Sequence, residues 1–179
     1  MPKILECYPF ADDRVRLVEG FASYDGLLGD TPGTPHKGID YVLPEGEGIS
    51  FDDGVKLISE AGFNSNGLRA LGFEVFCMHA GSAYQAISGT WGRFVAITSH
   101  PRQEKSTLFR VVYAHLGSIN EVIPQLPVSD DPAVQEKLRK EFKEIPVDIG
   151  DYLGRAGNTG RTNRIIQLHI ELFECKGEG

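Results

Sequence analysis

Two short stretches, far apart in the chain, concentrate the side chains able to hold a metal ion or move a proton. The first is Pro35-His36-Lys37-Gly38-Ile39-Asp40-Tyr41, and the second is Gln167-Leu168-His169-Ile170-Glu171. Pro35 before the first pair, Gly38 within it and Pro44 after it disfavour a helix, so the segment reads as a strand or turn. On a strand, alternate residues share a face, which puts His36, Gly38 and Asp40 on one side, with Gly38 leaving space for an ion between the other two. Taken alone, a histidine and an aspartate at this spacing are more often a surface pair than metal ligands. In the second stretch the alternation sets Gln167, His169 and Glu171 on one face and Leu168, Ile170 and Leu172 on the other. Such a polar row is unexceptional where it meets water. It gains meaning beside a His-Asp pair that lacks a third partner. Two imidazoles and one carboxylate give zinc three protein ligands and leave a fourth position to water.

The remaining candidates weigh less on their own. His115 closes the apolar run Val111-Val112-Tyr113-Ala114, and a histidine at a strand edge is more often structural than catalytic. Cys77 and His79 form a C-x-H pair without partners at useful spacing and read as a packed strand end. His100, before Pro101, reads as an exposed turn residue. Cys7, Cys77 and Cys175 are widely separated and odd in number, with no CxxC pair. They suggest partly buried thiols, and neither a cysteine-rich zinc site nor a disulfide framework.

The elements that must position these residues are mostly strands. Apolar, β-branched runs between glycines and prolines are expected to form strands at 75–78, 94–98, 108–114 and 165–173. Two helices are expected near 50–62 and 131–144. Ser50 caps the first, with Phe51, Val55 and Ile58 on one face and Gly62 at its end. Asp131 caps the second, with Pro132 at its first position, Val134, Leu138 and Phe142 recurring every four residues, and Pro146 closing the segment. The fold class is therefore mainly β: a compact antiparallel sheet or barrel-like sandwich with two helical insertions. At 179 residues the chain suits a single domain, 1–179. The formal charge of −7 argues against nucleic acid as a partner, since phosphate binding needs a basic surface. No apolar run approaches the roughly 20 residues of a membrane helix. The stretch from Met1 to Pro9 lacks the apolar core and cleavage site of a secretory signal, and localisation stays open.

In order, the chain carries His36-Lys37-Gly38-Ile39-Asp40, Trp91-Gly92-Arg93-Phe94-Val95-Ala96-Ile97 and Tyr113-Ala114-His115-Leu116. Gly150-Asp151-Tyr152-Leu153-Gly154-Arg155-Ala156-Gly157-Asn158-Thr159-Gly160 and Leu168-His169-Ile170-Glu171 follow. Together these resemble the lysostaphin/LytM-type metallopeptidases from about His36 to Phe173. The resemblance implies an antiparallel β fold around a groove with zinc on its floor. It implies His36, Asp40 and His169 as metal ligands and His115 as a catalytic histidine. It further implies peptide cross-links of bacterial peptidoglycan as the substrate and action at the cell envelope or outside the cell. The chain departs from the family at Gln167, where a second catalytic histidine is expected. Glutamine cannot relay protons, although its amide can donate to an oxyanion or orient water. His115 would then carry the acid–base work, helped by solvent or Glu171, with Tyr24 or Tyr41 as further donors of low weight. The implied function is a zinc endopeptidase. The alternatives are a zinc-retaining, catalytically impaired domain that binds wall peptides or a protein partner, and a groove without zinc that serves only in interaction.

Overall fold

In a computed structural model, residues 8–19, 37–42, 72–100, 108–161 and 166–175 are described. The strand-forming runs of the sequence assemble into two antiparallel sheets. The larger sheet contains β1 (Arg16–Glu19), β2 (Gly38–Val42), β4 (Gly81–Ser88), β5 (Gly92–Ser99), β6 (Leu108–Ala114), β8 (Ile145–Val147) and β10 (Gln167–Cys175), in the order β1-β2-β10-β6-β5-β4-β8. The smaller contains β3 (Glu74–Phe76), β7 (Leu116–Ile119) and β9 (Tyr152–Ala156), in the order β3-β9-β7.

Side-chain alternation explains how the sheets pack. On β5, β6 and β10 the residues Val95, Ile97, Val111, Tyr113, Leu168 and Ile170 face inward. They meet Val75, Leu116, Leu153 and Ala156 from the smaller sheet in one core. Each fully buried aliphatic side chain there contributes roughly 1.5–3 kcal/mol. The intervening residues Phe94, Ala96, Val112 and Ala114 form a second apolar layer on the outer face, covered by Tyr84, Trp91, Leu126 and Phe173. With both faces buried, β5 and β6 read as nearly continuous apolar runs rather than alternating ones.

The antiparallel, mainly β class is as expected; among the described residues β1 and β8 stand at the edges of the larger sheet, which does not close into a barrel. The expected strands at 94–98, 108–114 and 165–173 fall on β5, β6 and β10, while 75–78 overlaps β3, which stops at Phe76. The second expected helix is α1 (Pro132–Glu141). The Asp131 carboxylate accepts from the amides of Ala133 and Val134, and Pro132 opens the helix. No residue of α1 is buried, in keeping with the charged residues between its apolar positions. Phe142 has already left the helix and sets its ring edge-on to Tyr84 at 6.2 Å. Pro146 lies in edge strand β8, where a missing amide hydrogen is tolerated. The expected helix at 50–62 lies outside the described residues. Among the described residues no helix is long and apolar enough to cross a membrane.

Candidate metal and proton-transfer site

Strand pairing brings the two chemically suggestive segments together. β2 and β10 are antiparallel neighbours, with Asp40 opposite His169, Gly38 opposite Glu171 and Val42 opposite Gln167. Residues directly opposite one another project to the same side of a sheet, so all of these point to the outer face. Asp40 Oδ1 lies 2.7 Å from His169 Nδ1 in a buried contact spanning 129 residues of sequence. Asp40 is 3% exposed and His169 8%, so this polar face is covered and does not meet water here. Leu172, set by alternation on the face of Leu168 and Ile170, is 51% exposed.

The His169 ring lies over Gly38. A Cβ there would fall 2.5 Å from His169 Cε1 and 2.7 Å from Nε2, and would also collide with the Ile170 carbonyl. Glycine thus makes room for the His169 ring. On the far edge of that ring, Nε2 lies 3.6 Å from Glu171 Oε2. The ring is therefore held between two carboxylates over a residue without a side chain.

Burial opposes a charge on His169, but hydrogen bonding and Coulombic attraction to Asp40 and Glu171 outweigh it and raise the pKa to about 9. In the metal-free protein this interaction favours folding. The folded pKa lies above the ordinary 6.5, so the stabilisation is complete below about pH 6.5 and disappears as pH rises through 9. It amounts to something on the order of 3 kcal/mol. The midpoint of urea unfolding for metal-free protein is expected to fall between pH 7 and pH 9.5. A His169→Gln variant should lose most of that slope. Equal slopes in the two proteins would remove His169 as its source.

His115 is the one residue between β6 and β7, where the chain passes from the larger sheet to the smaller. Its φ of 62° is left-handed, an unfavourable state for a side-chain-bearing residue. That turn swings the imidazole to the outer face, 5.8 Å from the His169 ring centroid to centroid. His115 Nδ1 donates to the Thr159 carbonyl at 2.8 Å, because a carbonyl only accepts. In the neutral ring the lone pair then resides on Nε2. Thr159 is itself fixed: its hydroxyl donates to the Leu116 carbonyl at 3.0 Å and accepts from the Arg93 amide at 2.9 Å. Gly92 and Gly160, with φ of 62° and 78°, pass so closely there that a Cβ on either would strike the other's backbone.

Gln167 is 1% exposed, and its Oε1 is buried without a hydrogen-bond partner. Its backbone N–H donates to the Gly157 carbonyl, which docks the start of β10 against the same loop that carries Thr159. His36 and Tyr24 lie outside the described residues. Tyr41 alternates with Asp40 and turns to the core side against Phe10, at 5.0 Å between centroids, so it is not a donor in the site. His79 packs on Phe109 and gives Nδ1–H to the Ala80 carbonyl, while the Cys77 thiol donates to the His79 carbonyl, as a packed strand end requires. His100 is exposed and bonds Ser82 Oγ through Nε2. Sequence reasoning assigned no role to Thr159; the glycine-rich stretch around it was the available signal.

No protein-family model and no curated relative matches the chain. Among solved structures the fold is similar to that of a zinc-containing peptidase from Vibrio cholerae. The TM-score is 0.52 at 18% identity, covering 95% of this chain and 36% of that one. The likeness is one of fold, and this chain spans only about a third of the other's length.

Proposed function

We propose that this chain is a zinc-dependent endopeptidase domain of the lysostaphin/LytM type, hydrolysing peptide cross-links of bacterial peptidoglycan. The observation that carries the reading is the buried meeting of Asp40 Oδ1 and His169 Nδ1 beside His115. Donor atoms sharing one tetrahedral zinc stand roughly 3.3 Å apart, so a pair at 2.7 Å needs to open only slightly to admit the ion in place of the proton they share. Asp40 and His169 fit two positions of a mixed nitrogen–oxygen set, and His36, four residues before Asp40, is assigned the third. When bound, zinc would polarise the scissile carbonyl and acidify water. His115, anchored through Nδ1, accepts a proton at Nε2 and returns it to the leaving amine. The αL turn at its backbone and the Thr159 carbonyl hold the ring in one orientation for both transfers.

Gln167 favours a second reading, in which the domain retains zinc and binds wall peptides or a protein partner without efficient turnover. A buried amide has no titratable proton to offer, whatever its orientation. Purified protein loaded with zinc distinguishes the two. On the enzymatic reading, elemental analysis gives one zinc per chain, and peptide ends are released from purified peptidoglycan. His115→Ala then lowers the rate roughly 100-fold while keeping the metal. Equal, negligible release by both proteins with zinc retained supports the binding domain, and absence of stoichiometric metal defeats both.

A further inference from the structure

A buried carboxylate, Glu171, has no place in the scheme above. It is 8% exposed in the middle of β10, flanked by Gly38 on β2 and Val112 on β6, both buried. Burying a carboxylate among such neighbours is costly unless it meets a positive or hydrogen-bonding group. The group it meets is His169: Oε2 stands 3.6 Å from Nε2, on the ring edge opposite Asp40. The separation is slightly longer than a hydrogen bond, so the contact is an electrostatic one that a small ring shift converts into a hydrogen bond.

This inference rests on the reading of Asp40 and His169 as metal ligands. If His169 binds zinc beside Asp40, the nitrogen directed at Asp40, Nδ1, has to be unprotonated. The neutral ring then carries its hydrogen on Nε2, and that hydrogen faces Glu171. We infer that Glu171 is a positioning residue: it accepts the Nε2 hydrogen of His169, selects the tautomer whose Nδ1 binds zinc, and holds the ring in the plane of the site. Carboxylate acceptors behind metal-bound imidazoles fix ring orientation and increase basicity, and their loss commonly weakens metal binding 10- to 100-fold. Strand geometry supplies the pairing without any loop. Residues 169 and 171 share a face of β10, and glycine opposite Glu171 leaves the ring and carboxylate room to lie side by side.

The test measures zinc affinity by chelator competition, together with the nitrogen chemical shifts of His169 in zinc-loaded, 15N-histidine-labelled protein. Glu171→Ala is expected to weaken zinc 10- to 100-fold. Glu171→Gln has nearly the same shape and keeps an acceptor oxygen, so it should recover part of that loss. In the native protein the two-bond couplings should place the His169 hydrogen on Nε2, and in Glu171→Ala the Nε2–H signal should move and exchange faster with solvent. A purely structural role would lower the unfolding midpoint of both variants while leaving affinity and the His169 spectrum unchanged, and that result would overturn the inference. If the native protein binds no zinc, the assignment of the ligands fails and this inference with it. Native binding with unaltered affinity in both variants sinks the inference alone.

Discussion

Replacing Gly38 with alanine is expected to cost roughly 1000-fold in zinc affinity, although the residue carries no chemistry of its own. The added Cβ would lie 2.5 Å from Cε1 and 2.7 Å from Nε2 of His169, well inside the distance that non-bonded atoms tolerate. The Ile170 carbonyl blocks retreat on the other side, and it is main chain in the centre of a paired strand. The ring therefore has to rotate away, which takes Nδ1 off Asp40 Oδ1 and Nε2 off Glu171. Structural zinc sites with about four ligands bind with roughly 10–16 kcal/mol, so removing one well-placed nitrogen costs about 3–4 kcal/mol, or roughly three orders of magnitude. The crowding itself adds about 1–3 kcal/mol of instability. Zinc titration against a chromophoric chelator reads the first effect, and urea unfolding of the metal-free protein reads the second. Lys37→Ala, one residue away and exposed, serves as the control that leaves both unchanged. A Gly38→Ala protein that binds zinc as the native one does would show that the His169 ring does not need this position.

The difference between what the sequence revealed about Gly38 and what the structure reveals illustrates which parts of the site were legible. Period-two alternation was enough to put Asp40 and Gly38 on one face, and Gln167, His169 and Glu171 on another. Both faces are as expected, and pairing of β2 with β10 merges them. What alternation cannot give is register: a shift of β2 by two residues would preserve every face and still set Asp40 opposite Glu171 instead of His169. The packing of the His169 ring over Gly38 depends on that register, so alternation alone could show a space on this face but not that a ring lies over it. The helix after Asp131 was legible because capping is local: the side-chain oxygen and the amides it serves lie within three residues. The apolar period of the same helix says less, because tertiary packing decides whether a stripe finds a partner, and no residue of α1 is buried.

The support for His115 was the least legible part. Its left-handed backbone, the Thr159 carbonyl that orients it and the contact between Gly92 and Gly160 involve three separated segments. The resemblance of the Trp91-Gly92 and Asn158-Thr159-Gly160 motifs to one family placed them in order along the chain. The physical reason lies in their meeting: two glycines allow two backbones to touch, and that contact fixes the carbonyl to which the imidazole is tied. Fold and proton-transfer geometry are thus coupled through main-chain contacts that hydrophobic patterning does not encode.

Introducing histidine at Gln167 is expected to raise peptidoglycan hydrolysis by roughly 100- to 10,000-fold, the usual contribution of a positioned acid–base group. Gln167 lies two residues before His169 on the same face of β10, fixed by the hydrogen bond from its backbone N–H to the Gly157 carbonyl and by pairing opposite Val42. A side chain substituted there inherits the position without rearrangement of the strand. Imidazole is close to glutamine in volume, and the buried Oε1 has no hydrogen-bond partner to forfeit, so the exchange should change the unfolding midpoint little. What it adds is a group that titrates near neutral pH, to share the proton transfers that the proposed mechanism gives to His115 alone. Zinc content should be unaffected, since the proposed ligands are untouched, and the gain should appear in kcat more than in KM. Release of peptide ends from purified peptidoglycan, measured at equal zinc occupancy for the native protein, Gln167→His and the Gln167→His, His115→Ala double variant, is the decisive comparison. A gain in the first that collapses in the second places both side chains in the same reaction. If Gln167→His leaves turnover at the native level while holding zinc, this position is not what limits the chemistry, and the binding-domain reading gains the ground that the enzymatic one loses.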